Sequence, residues 1–297
     1  MGRRDSDIGR RLLETAARLQ DTRSPIAAAA YDFPDGSICS PHRHRRAQLI
    51  YACSGVMTVF AAGGAWVVPP DRGVWMPAGV EHWIAYSGAV QMRTIYLEPA
   101  CVPRMPARCF VIHVSALLRE LIIAALDIPL DRRPAGRHAH IAKLIPAEIR
   151  ALPAVPLHLP IPEDELIAPI ARAIIDRPGA PHALRLWSGR TGLSERTLER
   201  HFLAATGMSF ARWRRQARLV ASLPRIARGE PILDVALDLG YDSPSAFTAM
   251  FHRTLGATPS AYFAIKRGGG ASGASRGGRS RRRPVAPASR GAAPLGV

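Results

Sequence analysis

The sequence predicts a multidomain α+β chain, in which an N-terminal β-barrel precedes a C-terminal all-α domain with two helix-turn-helix units in tandem. Between residues 26 and 97, short apolar runs alternate with Gly and Pro, which is typical of a small all-β domain. After Pro162 the apolar spacing becomes helical. In that region a short apolar helix, a glycine and a serine cap follow one another twice.

The length and charge of the chain limit the classes of protein to consider. Its 297 residues suffice for about two domains, each with its own core. The formal net charge of +17 favours an anionic partner, nucleic acid before membrane. The start of the chain lacks the apolar core of a secretion signal, and no apolar run approaches the roughly 20 residues of a membrane span. Cys39, Cys53, Cys101 and Cys109 show no metal-type pairing or secretory framework, so we expect a cytoplasmic protein without a membrane partner.

The first 110 residues divide into a helix and a barrel. Residues 1–25 should contain an amphipathic helix, because apolar residues recur there at helical spacing. Residues 26–110 are assigned to the barrel. Its strands are predicted at Ile26–Tyr31, Gln48–Cys53, Gly55–Phe60, Ala65–Val68, Gly73–Met76 and Val90–Leu97.

Residues 111–152 are predicted to be helical. Arg137–Leu152 contains Pro146, which should kink or split that helix. The preceding helix, Val114–Leu126, fits either an ordinary helix packed on the barrel or one member of a dimer helix pair. Residues 153–162 are rich in proline and are therefore predicted to be a stiff extended linker. The apolar stripe of Val114–Leu126 comprises Val114, Leu117, Leu118, Leu121, Ile122 and Ala125.

Each helix-turn-helix unit carries its own local signals. A short apolar helix runs into Gly192 or Gly240, and Ser194 or Ser243 begins the next helix. Glycine supplies the positive φ of a tight turn, and serine accepts a hydrogen bond from a free amide of the first helical turn. The second helix then projects outward, as insertion into a DNA major groove requires.

The motifs of residues 163–265 resemble those of the AraC/XylS-type DNA-binding domain. The resemblance is carried by Gly192-Leu-Ser-Glu-Arg-Thr-Leu-Glu-Arg-His-Phe202, Leu239-Gly-Tyr-Asp-Ser-Pro-Ser-Ala-Phe247 and Gly256-Ala-Thr-Pro-Ser-Ala-Tyr262. It implies a sequence-specific transcription regulator, activator or repressor, that binds double-stranded DNA. It further implies a homodimer, with RNA polymerase as a candidate partner.

In the first unit, the resemblance places Arg196, Glu199 and Arg200 toward base edges. Leu198 and Phe202 recur at helical spacing and should face the core. Arginine can donate a bidentate pair to guanine, and glutamate can accept from cytosine. The alternative is a solvated helix face with charges at i,i+3 and i,i+4 spacing.

The second unit and the connecting helix are less explicit. Ala249 stands where the family often has arginine, so phosphate contacts, thymine-methyl contacts or shape readout are expected there. In the connecting helix, Arg214 and Arg215 could contact the DNA backbone or merely face solvent, and Pro224 should interrupt that helix. The outward candidates of the second unit are Ser245, Ala246 and Thr248.

The barrel segment resembles the two cupin signatures, with Gly36-x5-His42-x-His44-x3-Gln48-x6-Gly55 followed by Pro77-x-Gly79-x2-His82. Asp71 stands where a glycine is usual. The resemblance implies that His42, His44 and His82 converge on one divalent transition metal, with Gln48 in place of the usual glutamate as a fourth ligand. The effector would then be a metal.

Two alternatives to a metal centre stay open at this stage. The histidines could be strand or pocket residues of a metal-free barrel that binds a small-molecule effector. In that case the aromatic side chains would line an apolar pocket or simply fill the barrel. A cupin metalloenzyme, a dioxygenase or isomerase with an accessory DNA-binding domain, is the rival function. No nucleotide loop, nucleophile elbow or paired-carboxylate motif supports catalysis, so the chain is predicted not to be an enzyme. The pocket candidates are Trp66, Trp75, Trp83 and Tyr86.

The last segment, residues 266–297, has almost nothing to bury. From Arg267 onward it contains seven arginines and no acidic residue. It is predicted to be a disordered basic tail, either merely solvated or in weak contact with DNA phosphates.

Overall fold

The computed structural model describes the backbone of residues 4–267 and the side chains of residues 12–263. The basic tail predicted for residues 266–297 lies almost wholly outside the described residues. The chain forms a sheet-rich N-terminal part, here the sheet domain, and a helical C-terminal part, here the helical domain. Among the described helices, none is long and apolar enough to cross a membrane.

The sheet domain is built around two long strands that pair with each other along most of their length. The strands β3 and β6 are antiparallel from Ala47 opposite Leu97 to Ala61 opposite His82, with irregular register between Ala52 and Val56. Each long strand meets different partners with its two halves: β6 pairs with β1 and β2, and β3 pairs with β4 and β5. The strands are β1 (Ile26–Phe33), β2 (Ile38–His42), β3 (Ala47–Ala61), β4 (Gly64–Val68), β5 (Arg72–Met76), β6 (His82–Leu97), β7 (Phe110–His113), β8 (Ala154–Val155) and β9 (His158–Pro160).

Each predicted strand segment lies within a strand of the structure, and Gln48–Cys53 and Gly55–Phe60 form one strand rather than two. The strands β2, β7, β8 and β9 were not anticipated, and β6 begins at His82 rather than at Val90. Asp71, in the turn before β5, has a φ of +56°. A positive φ favours glycine, which explains why glycine is usual at this position. Aspartate tolerates the same conformation better than most other residues.

The two faces of the sheet pack against different partners, because successive side chains of a strand point to opposite sides. Ile50 and Ala52 of β3 join a core that continues into the helical domain. Leu49 and Tyr51 join a second core on the other face, which the helices α2 and α3 cover. The helices of this part are α1 (Arg4–Gln20), α2 (Ala116–Ala125) and α3 (Arg137–Ala151).

The apolar stripe of α2 packs on the sheet, in agreement with the hypothesis of an ordinary helix packed on the barrel. Leu118, Leu121 and Ile122 are buried in the second core, whereas Leu117 is 52% exposed and does not belong to the buried stripe. Pro146 does not split its helix, since α3 runs through it without a break. Proline removes a single backbone hydrogen bond, and the burial of Ile145 and Ile149 on either side holds the helix to the sheet.

The prediction that residues 153–162 form a linker was wrong in part, because these residues belong to the sheet. Val155 pairs with Val111 of β7, and β9 pairs with β4 from Trp66 opposite His158 to Gly64 opposite Pro160. The chain is extended, as proline requires. It lies at a sheet edge, where a strand without all its N–H donors is tolerated.

The helical domain contains the two predicted helix-turn-helix units on either side of a long central helix. Pro224 does not interrupt this central helix, which ends three residues later, while Leu223 and Ile226 beside the proline are buried. The helices are α4 (Ala168–Asp176), α5 (Leu184–Thr191), α6 (Glu195–Thr206), α7 (Phe210–Ala227), α8 (Ile232–Asp238), α9 (Pro244–Leu255) and α10 (Pro259–Arg267).

The two domains touch through specific polar contacts as well as a shared core. Arg228, just after α7, donates to Asp35 Oδ1 at 3.1 Å and to Ser87 Oγ at 3.2 Å. The same Asp35 oxygen accepts from the Gly88 backbone N–H at 2.7 Å, and the pKa of Asp35 is lowered by this bond and by Arg228. At the other end, the Tyr262 hydroxyl donates to the Pro70 carbonyl at 3.3 Å.

Candidate DNA-reading surface and metal centre

The first helix-turn-helix unit consists of α5 and α6, and its turn has the predicted geometry. Gly192 ends α5 with a φ of +72°. Ser194 Oγ accepts from the Thr197 backbone N–H at 3.2 Å and so caps α6. Leu198 and Phe202 are fully buried, which fixes the rotation of α6 about its axis. Arg196 and Arg200 are exposed on the opposite side, as a base-contacting pair requires.

Glu199 does not share this exposed face. Its side chain is half-buried, and Oε1 accepts from the Phe210 backbone N–H at 3.2 Å. The carboxylate thus satisfies a free amide at the start of α7, where the helix dipole also favours a negative charge. The structure therefore gives Glu199 an internal role and does not present it beside Arg196 and Arg200.

The second unit consists of α8 and α9 and has the same order of helix, glycine, serine cap and helix as the first. Gly240 has a φ of +73°, and a Cβ added there would lie 2.5 Å from the Gly179 carbonyl, so only glycine fits. Ser243 Oγ accepts from the Ala246 backbone N–H at 3.2 Å and caps α9. The exposed residues of α9 include Ser245, Ala246 and Ala249, with Thr248 half-buried, and sequence reasoning missed His252 and Arg253 in the last turn.

The arginines of α7 have divergent roles. Arg214 donates to the His182 carbonyl, and Arg218 donates to the Pro178 carbonyl at 2.9 Å. Both side chains fix the connection between α4 and α5 to the central helix. Arg215 is exposed and stays available to an external partner.

In the sheet domain, the three predicted histidines come together. One ring nitrogen from each of His42, His44 and His82 lies within 4.8 Å of the other two. His42, the last residue of β2, is directly opposite His82, the first residue of β6. His44 lies beyond the end of β2, and its backbone carbonyl accepts from the Gly79 N–H at 2.8 Å. β2 therefore carries His42 but not His44, yet the centroids of the two rings are 4.8 Å apart.

Backbone carbonyls orient two of these rings. His42 Nδ1 lies 2.7 Å from the Ser40 carbonyl, and His82 Nδ1 lies 3.0 Å from the Val80 carbonyl. Since a carbonyl only accepts, Nδ1 carries the proton and the Nε2 lone pair is free. Among the described residues, buried Nε2 atoms of His44 and His82 have no hydrogen-bond partner. Metal-ligating histidines are oriented in this way.

Gln48, the predicted fourth ligand, is buried near the start of β3. Its Nε2 donates to Thr94 Oγ1 at 2.9 Å, and the Thr94 hydroxyl donates to the Leu49 carbonyl at 3.1 Å. This chain of bonds fixes the amide, while Gln48 Oε1 is buried without a partner among the described residues. Sequence reasoning missed Thr94, which lies opposite Ile50 on β6 and so could be found only from the strand register.

The histidines are in the protonation state that a metal needs. Burial lowers the pKa of His44 to about 3, with further lowering by His42 and His82. Burial, followed by His42, lowers the pKa of His82 to about 4, and burial lowers the pKa of His42. Neutral imidazole is the ligating form, and it suits Zn, Ni, Cu or Fe. The three neutral imidazoles therefore fit a first-row transition metal.

Comparison with known proteins agrees with both halves of this description. Residues 25–157 match the family described as AraC-like ligand binding domain, and residues 187–265 match the family described as Helix-turn-helix domain. The regulator NimR of Escherichia coli K12, an HTH-type transcriptional regulator, is 34% identical over 241 residues, which span 80% of this chain and 88% of NimR. The chain belongs to the AraC family of transcription regulators.

A second curated protein and a solved structure also align with this AraC-family chain. The regulatory protein SoxS of Salmonella typhimurium is 36% identical over 74 residues, which span 25% of this chain and 69% of SoxS. A crystal structure of ToxT from Vibrio cholerae aligns over 81% of this chain and 98% of ToxT, with a TM-score of 0.35 and 11% identity.

The aromatic residues proposed as a ligand pocket do not come together in the ligand-binding domain of this AraC-family protein. Trp75 lies in the core beneath α2 and α3, on the other face of the sheet from Trp66 and Tyr86. Trp66 stacks on His158 at 4.4 Å, Trp83 stacks on Phe60 at 3.9 Å, and Tyr86 stacks on Phe33 at 3.9 Å between ring centroids. All three rings pack against side chains of the chain itself, so the four aromatic residues do not line one pocket.

Proposed function

We propose that this AraC-family regulator responds to a divalent transition metal held in its sheet domain. The observation that carries the proposal is the convergence of His42, His44 and His82, with the Nε2 atoms of His44 and His82 buried and unpartnered. Gln48 supplies an amide oxygen as a fourth donor. A metal bound there would cross-link the end of β2, the segment that follows it and the start of β6.

We further propose that DNA is read by the helical domain, with base discrimination concentrated in α6. Arg196 and Arg200 are long, exposed donors on a helix whose rotation is fixed by Leu198 and Phe202. The exposed residues near the start of α9 are short and uncharged, which suits phosphate, methyl or shape contacts. A homodimer would place two such domains on one operator.

A gel-shift experiment on the DNA upstream of the protein's own gene tests both parts. Untagged protein is prepared with a chelator and then reloaded with Zn²⁺, and the two forms are compared on the upstream fragment and on random DNA. We expect sequence-preferring binding whose affinity depends on Zn²⁺. The variant His42→Ala/His44→Ala should lose the Zn²⁺ dependence, whereas His140→Ala, an exposed histidine of α3, should keep it.

Two outcomes would contradict the proposal. An absence of sequence preference in both forms would refute the DNA-reading part. Equal and negligible metal in the wild type and the double variant, measured by elemental analysis, would remove the metal and leave the effector to be sought among small molecules.

A further inference from the structure

A cleft of about 360 Å³ lies beside the three histidines, where the sheet domain meets the chain that leads into the helical domain. We call it the junction cleft. Two carboxylates, those of Glu81 and Glu163, line it, and both side chains are exposed. Of the residues described, no lysine or arginine lines this cleft, although the whole chain carries a net charge of +17. The remaining lining residues are Pro41, Phe60, Ala61, Ala62, Gly63, Gly64, His82, Trp83 and Ile161.

His82 connects the cleft to the proposed metal centre. It lines the cleft and also belongs to the group of three converging histidines. The residue is only 1% exposed, and its Nε2 atom lacks a hydrogen-bond partner in the described part of the chain. The cleft therefore brings the carboxylates of Glu81 and Glu163 beside a residue of the three-histidine group.

The donor set itself explains why nearby carboxylates matter. Three neutral imidazoles and one neutral amide bring no negative charge to a divalent ion, and an ion buried without a counter-charge is strongly disfavoured. Carboxylates at the mouth of the site offset part of that charge and raise the local cation concentration. Because both are exposed to water, their effect should be moderate and should weaken in salt.

Glu163 directly follows a segment that is hydrogen-bonded both to the sheet domain and to α7. The Ile161 N–H, two residues before it, donates to the Gly63 carbonyl at 3.4 Å, at the hairpin that joins β3 and β4. On the opposite side of the same segment, Trp213 Nε1 of α7 donates to the Pro160 carbonyl at 2.7 Å. Gln216 Nε2, one turn further along α7, donates to the carbonyls of Pro156 and His158.

Residues 156–163 therefore lie between the junction cleft and the helix that joins the two helix-turn-helix units. When a cation in the cleft attracts Glu163, the pull also acts on residues 156–160. Trp213 and Gln216 bind the carbonyls of these residues, so the pull reaches α7. Both units contact this helix, since α6 and α8 pack against it. A small displacement of α7 would change how the two recognition helices are presented to DNA.

We propose that the junction cleft admits the divalent metal, that Glu81 and Glu163 offset its charge, and that Glu163 couples metal occupancy to α7 through residues 156–163. This rests on the proposed function, because it needs a metal at the three histidines. It adds Glu81 and Glu163, which are not metal ligands, and a route from the metal to α7 through residues 156–163.

The charge part is tested by titrating the full chain with Co²⁺, followed by the visible absorption of the bound ion. Glu81→Gln/Glu163→Gln should weaken Co²⁺ binding by roughly tenfold at low salt, and the difference from wild type should shrink at high salt. The matched control is Glu165→Gln, an exposed acid on the same segment that does not line the cleft, and it should bind Co²⁺ like wild type. Equal affinities for the double variant and the control would overturn this part.

The coupling part is tested with Gln216→Ala, which removes two bonds to the segment and touches no proposed metal ligand. This variant should bind Co²⁺ with wild-type affinity, while the Co²⁺-induced change in its affinity for the upstream DNA should fall at least threefold below that of wild type. An unaltered DNA response would overturn the route.

These outcomes separate the inference from the proposed function. If wild type binds Co²⁺ and responds on DNA while Glu81→Gln/Glu163→Gln matches Glu165→Gln and Gln216→Ala matches wild type, only the inference fails. If wild type shows no Co²⁺ absorption, the metal centre and the inference fail together.

Discussion

The two helix-turn-helix units share the same order of helix, glycine, serine cap and helix, and they differ in the side chains that they expose. In both, a glycine with positive φ ends the first helix and a serine caps the second. On α6 the exposed face carries Arg196 and Arg200 in the first half of the helix, whereas α9 presents Ser245, Ala246 and Ala249 there and a cation, Arg253, only in its last turn. The comparison shows that capping and turn chemistry fix where a recognition helix lies, while the exposed positions remain free to set how much sequence it can read.

The largest effect should come from the two arginines of α6. Arg196→Ala and Arg200→Ala should each cost about 1–3 kcal/mol of binding free energy at the cognate site and relax one base position, because each loses a long donor to a base edge. Fluorescence anisotropy on cognate and random DNA measures this. Arg132→Ala, an exposed arginine between α2 and α3, serves as the control. Equal losses on both DNAs would show phosphate contacts instead.

An arginine placed on α9 should make the second unit resemble the first. Ala249→Arg adds an exposed cation to α9 and should tighten DNA binding by about 1 kcal/mol, with new preference at one base position. The same assay checks it, with Ala151→Arg at the end of α3 as a control for added charge. If both variants gain equally, the gain is due to net charge, and α9 is not placed against DNA as proposed.

Glu199 tests whether every charged residue of α6 reads bases. Glu199→Ala should lower the free energy of unfolding by about 1 kcal/mol, because it leaves the Phe210 amide at the start of α7 without its acceptor. Glu199→Gln, which keeps an acceptor oxygen, should recover most of this. Urea denaturation measures the loss, and base preference should be unchanged in both. An altered preference would restore Glu199 to the reading surface.

The smallest effect should come from the polar residues of α9. Ser245→Ala and Thr248→Ala should each change DNA affinity by about 0.5 kcal/mol or less, since each removes at most one neutral hydrogen bond. Ser243→Ala is the informative contrast, because it removes the cap of α9 and should cost about 1 kcal/mol of stability. A loss above 1 kcal/mol for Ser245→Ala would mean that the second unit reads bases as well.

Features set by neighbouring residues could be predicted from the sequence. The two glycines and two serines of the helix-turn-helix units act within one turn of chain, and their geometry is confirmed. These signals depend on local backbone preference, which a sequence displays directly. The histidine cluster was instead implied by the resemblance to the cupin signatures, and the structure places His42 directly opposite His82.

Features set by distant partners could not be predicted in the same way. The acceptor role of Glu199 depends on Phe210, one helix later, and the strand at residues 158–160 depends on β4, more than 90 positions earlier. A proline-rich segment is extended whether or not it has such a partner, so sequence alone did not separate a linker from an edge strand. Trp75 is partly an exception, because the two-residue period of β5 places it on the opposite face from Val74 and Met76.

The proline-rich edge of the sheet also bears on how the protein behaves at high concentration. A free sheet edge can recruit a strand from another molecule and so begin aggregation. Here Pro156 and Pro160 offer no N–H to such a strand, and Gln216 and Trp213 already engage the carbonyls of Pro156, His158 and Pro160. If α7 moves away during regulation, the carbonyls are released, but the prolines still supply no donors. The sheet edge can therefore change partners inside one molecule without becoming a template for self-association.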